Sequence, residues 1–118
     1  MRIKVRVAVL ACVLCVAPAL AQQQQQQGNI QIIAQALDRC MATYAVRLTR
    51  TAASDDDIYG QATTSCKSLR DQLTAAIRAQ VPSAQATSLL GSLDAQAKPN
   101  FMAMLAKIRS DRAARAGD

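Results

Sequence analysis

The chain has no histidine and no tryptophan, and its 118 residues include only two Tyr and one Phe. All eight acidic residues are Asp, so glutamate is missing as well. Without His, the Ser-His-Asp and Cys-His arrangements cannot be assembled, and the commonest general base is absent. Glycine is sparse: Gly28, Gly60, Gly91 and Gly117 are isolated, which leaves no glycine-rich loop to cradle a phosphate. The aspartates are single or gathered at one helix start, so no inward-facing carboxylate pair of the glycosidase kind is visible. These absences predict a protein that is not an enzyme and uses no metal or cofactor. So few aromatic residues, in a chain rich in alanine, also predict a thin core.

The N-terminus is where the sequence is most explicit. Arg2, Lys4 and Arg6 precede ten uninterrupted apolar residues at 7–16, then Pro18 and the small-x-small site Ala19-Leu20-Ala21. That order predicts a signal peptide at 1–21, cleaved between Ala21 and Gln22. Val9-Leu10-Ala11-Cys12 has a trace of a lipoprotein signal, but the apolar run continues past it to the better Ala-x-Ala site. Ten residues rise only about 15 Å as a helix, roughly half of a bilayer's hydrocarbon core. No transmembrane anchor is expected after cleavage.

Removal of the signal changes the charge and the cysteine count. Losing Arg2, Lys4 and Arg6 lowers the formal net charge from +6 to +3. That is too little, and too scattered, to predict a nucleic-acid partner. Cys12 and Cys15 leave as well, and Cys40 and Cys66 remain. An even pair in an exported chain predicts one disulfide, because the compartment is oxidising. Cysteines twenty-six positions apart do not form a Cys-x-x-Cys redox motif, and a zinc site lacks its other ligands.

The remaining chain reads as all-α. Six glutamines at 22–27, then Gly28-Asn29, show no apolar period and predict a flexible leader at 22–29. From Ile30 the pattern becomes helical: Ile30, Ile33, Leu37, Cys40, Tyr44 and Leu48 share one face. Ser54-Asp55-Asp56-Asp57 then opens a second helix, with Ser54 as N-cap and three acids where the helix dipole favours them. Three consecutive acids radiate around a helix start, unlike the alternating ligands of a calcium loop. The second stripe holds Ile58, Ala62, Cys66, Leu69, Leu73, Ala76 and Ile77, and Val81-Pro82 ends it.

If the two stripes face each other antiparallel, their position numbers should pair at a constant sum. Leu48 with Ile58, Tyr44 with Ala62, Leu37 with Leu69 and Ile33 with Leu73 all satisfy this, and so does Cys40 with Cys66. The expected architecture is therefore a disulfide-bridged antiparallel helical hairpin covered by one bent or two shorter C-terminal helices. One domain at 30–115 holds it all. In the C-terminal part, Ser83 is the expected cap, Ala86, Leu89, Leu90, Leu93 and Ala97 the expected inner face, and Pro99 an end or kink. Phe101, Met104, Leu105 and Ile108 follow on the last helix. Lys107, Arg109, Arg112 and Arg115 gather near its end, where cations suit the dipole and offer a possible interaction surface for an acidic partner or anionic lipid.

Cys40, Ser54-Asp55-Asp56-Asp57-Ile58, Ala62 and Cys66 together resemble small proteobacterial periplasmic proteins of unknown function, in which a signal peptide precedes a two-cysteine helical hairpin. The resemblance covers about a quarter of the chain and implies a compartment and a fold, without an activity or site residues. The expected function is that of an exported, periplasmic or secreted binding or accessory module, acting on an unknown protein partner or the envelope surface. Two alternatives are a periplasmic stress-type holding chaperone and a membrane-surface-associated helical protein. With no His, an acid switch in the chaperone would have to run on carboxylates.

Overall fold

A computed structural model of the chain describes residues 17–117, and of 17–27 the backbone course alone. The cationic start and the apolar run of the expected signal peptide, residues 1–16, lie outside the described residues. Four α-helices follow in order: α1 (Ala17–Leu48), α2 (Asp55–Ser65), α3 (Lys67–Gln80) and α4 (Ser83–Ala116). There is no strand among the described residues. The all-α expectation therefore holds.

Helix α1 starts well before Ile30 and takes in residues 22–29, the stretch expected as a leader without regular structure. Gln is a good helix former, and a helix nucleated by packing further along extends at little cost through a glutamine run. Pro18 sits in the first turn of α1, where the missing N–H is harmless. The cleavage-site residues Ala21 and Gln22 lie within the N-terminal part of α1.

Ser54 caps α2 as its sequence predicts: its backbone is extended, and its Oγ accepts from the Asp57 N–H at 3.2 Å. The expected second helix is divided at Cys66, whose backbone (φ −98°, ψ 10°) leaves the helical region. The hydrogen-bond ladder nonetheless runs through, from Cys66 N–H to the Ala62 carbonyl at 2.9 Å and from Arg70 N–H to the Cys66 carbonyl at 3.2 Å. Cys66 is also the residue covalently tied to α1, with Cα atoms of Cys40 and Cys66 6.0 Å apart. Val81 ends α3 in an extended conformation ahead of Pro82, as a residue before proline should.

Helix α4 corrects two expectations. Its N-cap position is Pro82, with no side-chain cap, and Ser83 is already inside the helix. Pro99 does not end the helix, which runs on to Ala116. Proline removes one backbone donor, which orphans the carbonyl of Ala95. Ala95 and Pro99 are both exposed, so water can satisfy that carbonyl while Phe101 and Leu105 bury themselves further on.

The core comes in two clusters. One joins Ala45 of α1, Ile58 and Ala62 of α2, and Phe101 and Leu105 of α4. The other joins Leu73 and Ile77 of α3 with Ala86 of α4, against Ile30, Ile33 and Leu37 of α1. Helix α4 packs against each of the other three helices and so reaches both clusters. Leu89 and Leu93, expected on its inner face, are 40% and 41% exposed. Leu69 and Ala76 are only half-buried, and the deepest residue of α1 is Ala45, which the expected stripe omits.

Candidate functional site

The space between the two clusters forms a groove of about 300 Å³. Its first wall is α1, where Ala34, Leu37 and Met41 recur at helical spacing with Asp38 beside them. The second is α2 and α3, where Tyr59, Thr63, Cys66, Arg70 and Leu73 step along one face. The third is α4, through Leu90, Leu93, Asp94, Ala97 and Phe101. Buried Cys66 is part of the lining and is bridged to Cys40 of α1, so the crosslink fixes the spacing of two of the three walls.

Part of the walls, on α1 and α2, comes from a second stripe displaced by one position from the first, beside Leu37, Cys66 and Leu73 of the first stripes. On α1 the stripe through Ile30, Ile33 and Cys40 belongs to α2 and α3, while Ala34, Met41 and Ala45 lie on the neighbouring face toward α4. On α2, Ile58 and Ala62 are fully buried, and Tyr59 and Thr63, one position on, turn to the groove. Tyr59 and Phe101 meet with ring centroids 5.4 Å apart and planes tilted by 59°, a favourable edge-to-face-like geometry. Neither Tyr59 nor Met41 stands out in a two-helix reading. Their signal is the one-position offset, which matters only once a third helix is present.

The charged groups of the groove are few. Arg70 donates to Asp94, joining α3 to α4 across the gap, while Asp38 makes no ion pair among the described residues. The Thr63 hydroxyl is buried without a protein partner. Nothing here pairs a nucleophile with a base, and among the described residues no three His, Cys, Asp or Glu side chains gather as a metal site. The chemistry available is that of a binding surface: apolar walls, two aromatic rings and a small set of charges at the mouth.

The C-terminal cations have different placements. Arg109 pairs with Asp55 at the start of α2. Arg112 donates to the Thr49 hydroxyl at 2.6 Å and to the Val46 carbonyl at 2.7 Å, and Thr49 itself donates to that carbonyl at 3.1 Å. Val46 is in the last turn of α1, where carbonyls have no partner within the helix, so Arg112 acts as a cap supplied from α4. Lys107 bonds Asp111 one turn away at 3.1 Å, and Arg115 is exposed with no ion pair among the described residues. Lys98 completes the set on α4: its ammonium is 2.8 Å from Asp56 and 5.9 Å from the Tyr59 ring centroid. The hydrogen bond and charge of Asp56 hold Lys98 above the usual lysine range. Asp55 and Asp56 thus fasten α4 to the start of α2, and Arg109 and Arg112 are engaged within the fold.

Among the described residues no helix is long and apolar enough to cross a membrane. No protein-family model, no curated protein and no solved structure matches this chain.

Proposed function

We propose that the chain is exported to the periplasm or beyond the cell, loses residues 1–21, and works there as a small, non-catalytic binding or accessory module. The groove above the disulfide is the observation that carries the binding reading. Ligand sites are concave, mostly apolar and dotted with a few placed polar groups, and about 300 Å³ is at the small end of their range. Export is supported by the cationic start, the ten-residue apolar run and the Ala-x-Ala site, together with a bridged cysteine pair of the kind that persists in oxidising compartments.

The topology that fits is the disulfide-bridged antiparallel hairpin, α1 against α2 and α3, with α4 as its cover. Its support is that Tyr44 and Leu48 pack with Ile58 and Ala62, whereas Ile30 and Ile33 pack with Leu73 and Ile77. The likeness to two-cysteine periplasmic hairpin proteins points the same way.

The test has two readouts on protein expressed with its own leader and a tag after Asp118. Mass spectrometry of the exported fraction should find an N-terminus at Gln22; uncleaved protein confined to the cytoplasm would overturn export. Mild crosslinking in the native envelope should then recover one ligand or partner joined to residues of the groove, and crosslinks confined to the Arg112–Arg115 region would move the site to the basic end.

A second reading, the acid-stress holding chaperone, is favoured by one observation. Among the described residues the three ion pairs between helices, Arg70–Asp94, Lys98–Asp56 and Arg109–Asp55, all attach α4, and each depends on a carboxylate. Strong acid protonates carboxylates and would remove these polar ties of α4 to its neighbours. Protection of a client from aggregation at pH 2 to 3 and its absence at pH 7 would favour this reading; no protection at either pH would remove it.

A further inference from the structure

We infer that the groove takes the apolar body of a small amphiphile with a cationic head, of which an alkylammonium ion is the simplest form. The inference rests on the binding-module reading and names the ligand class of that same site. Each of the three walls contributes one charged side chain amid apolar neighbours: Asp38 from α1, Arg70 from α3 and Asp94 from α4. The lining therefore holds two carboxylates and one guanidinium, and that guanidinium is already paired with Asp94. Asp38 is exposed and has no ion pair among the described residues.

An ammonium at the mouth gains the attraction of Asp38 and Asp94 and leaves the Arg70 pair in place. A carboxylate or phosphate would have to share Arg70 with Asp94 and sit beside two like charges. The apolar lining includes Leu37, Met41, Leu73, Leu93 and Phe101, and among the described residues Arg70 is the one cation that lines the groove. Leu93 retains 41% exposure at this place, apolar surface that an alkyl or aryl body would cover. Met41 contributes an unbranched side chain that adjusts to the shape of what it covers.

The test titrates the disulfide-intact chain, at low ionic strength and pH 7, with three probes of equal chain length: n-octylammonium, 1-octanol and octanoate. Affinity is read by calorimetry, and the site by the methyl signals of Met41 and Met104. Octylammonium should bind one site, shift both methyl signals, and exceed octanol by about three- to fivefold, the scale of an exposed ion pair. Octanoate should bind more weakly than octanol. Asp38→Asn should remove most of the preference for ammonium over alcohol, and Ala97→Trp should fill the groove and abolish binding of all three probes.

Octanoate binding as tightly as octylammonium would overturn the cationic head and leave the groove as a binding site. An ammonium preference that survives Asp38→Asn would overturn the assignment of the head. No methyl shift with any probe would overturn the binding-module reading itself. If Ala97→Trp fails to fold, the exposed Asp38→Asn substitution still decides the question.

Discussion

Helix α4 is held very differently by its two halves. Near the 49–54 turn, Phe101 and Leu105 are buried against Ala45, Ile58 and Ala62, with Tyr59 stacked on Phe101 and three α4 cations bonded to α1 or α2. At the other end, Ala86 is the one fully buried α4 residue among those described, Leu73 beneath it keeps 9% exposure, and Arg70–Asp94 is the polar tie. The groove lies where one regime gives way to the other. The groove of so small a protein thus occurs at the boundary between a fixed and a loosely held stretch of one helix, where apolar surface is left partly uncovered.

The largest test of this contrast removes the anchor. Leu105→Ala should cost about 2–5 kcal/mol in urea unfolding, because a fully buried leucine leaves a cavity that its neighbours fill only in part. Leu90→Ala, at the half-buried end of the same helix, should cost clearly less. Equal losses would show that α4 is held evenly along its length. Replacing both Cys40 and Cys66 by Ala comes next, at roughly 3 kcal/mol in the chain-entropy model for a loop of this size. Hydrogen exchange should then quicken more around Leu73 and Ile77 than around Ile58 and Ala62, since the smaller cluster has fewer other supports. A melting temperature that does not change on reduction would remove the disulfide from this account.

How much of this was legible in the sequence depends on how many helices a residue serves. Ile58, Ala62, Cys66, Leu73 and Ile77 follow from period alone, as do Phe101 and Leu105, because each has one apolar face to bury. The disulfide was legible too, since its cysteines fall on the two inward stripes. The groove was not. Its α1 and α2 residues, Met41 and Tyr59, lie one position off those stripes, and only the presence of α4 makes that second face matter. Ala45 was missed for a related reason: alanine is a weak apolar signal, yet its small size lets α2 and α4 approach α1 at one point. Pro99 misled in the opposite direction, because a proline whose orphaned carbonyl faces water can be carried within a helix when burial on either side compensates.

Arg112 sharpens the comparison at the level of single hydrogen bonds. Arg112→Ala removes two bonds from a charged donor to the end of α1, and should cost about 1.5–3 kcal/mol. Arg115→Ala, on the same helix one turn later, should stay within about 0.5 kcal/mol. Parity between the two would return Arg112 to the role of a free surface cation. At the loosely held end the change goes the other way. Gly91 is inside α4, and a Cβ there would meet nothing within 4 Å. Gly91→Ala should therefore stabilise by about 0.8–1 kcal/mol, the helix-propensity difference, and protect the amides around Leu89 to Leu93. Destabilisation would mean that the first half of α4 needs its flexibility in the folded state.

The smallest effect is a pH dependence at the junction of the halves. Lys98 precedes Pro99, and its bond to Asp56 raises its pKa above the ordinary 10.5. A cation whose pKa is higher in the folded state binds its proton more tightly there, so the pair's stabilisation is complete at pH values below the unfolded lysine pKa. It is lost as pH rises through the higher, folded pKa, and it does not respond to neutral or mildly acidic pH on the lysine side. Both groups are exposed, so the contribution is small and salt should weaken it. Asp56→Asn should lower the melting temperature slightly at pH 8, and the gap from the parent protein should close as the pH rises through the raised lysine pKa. A gap that persists at alkaline pH would show that Asp56 supports the start of α2 through the helix dipole instead, and that α4 draws nothing from its charge.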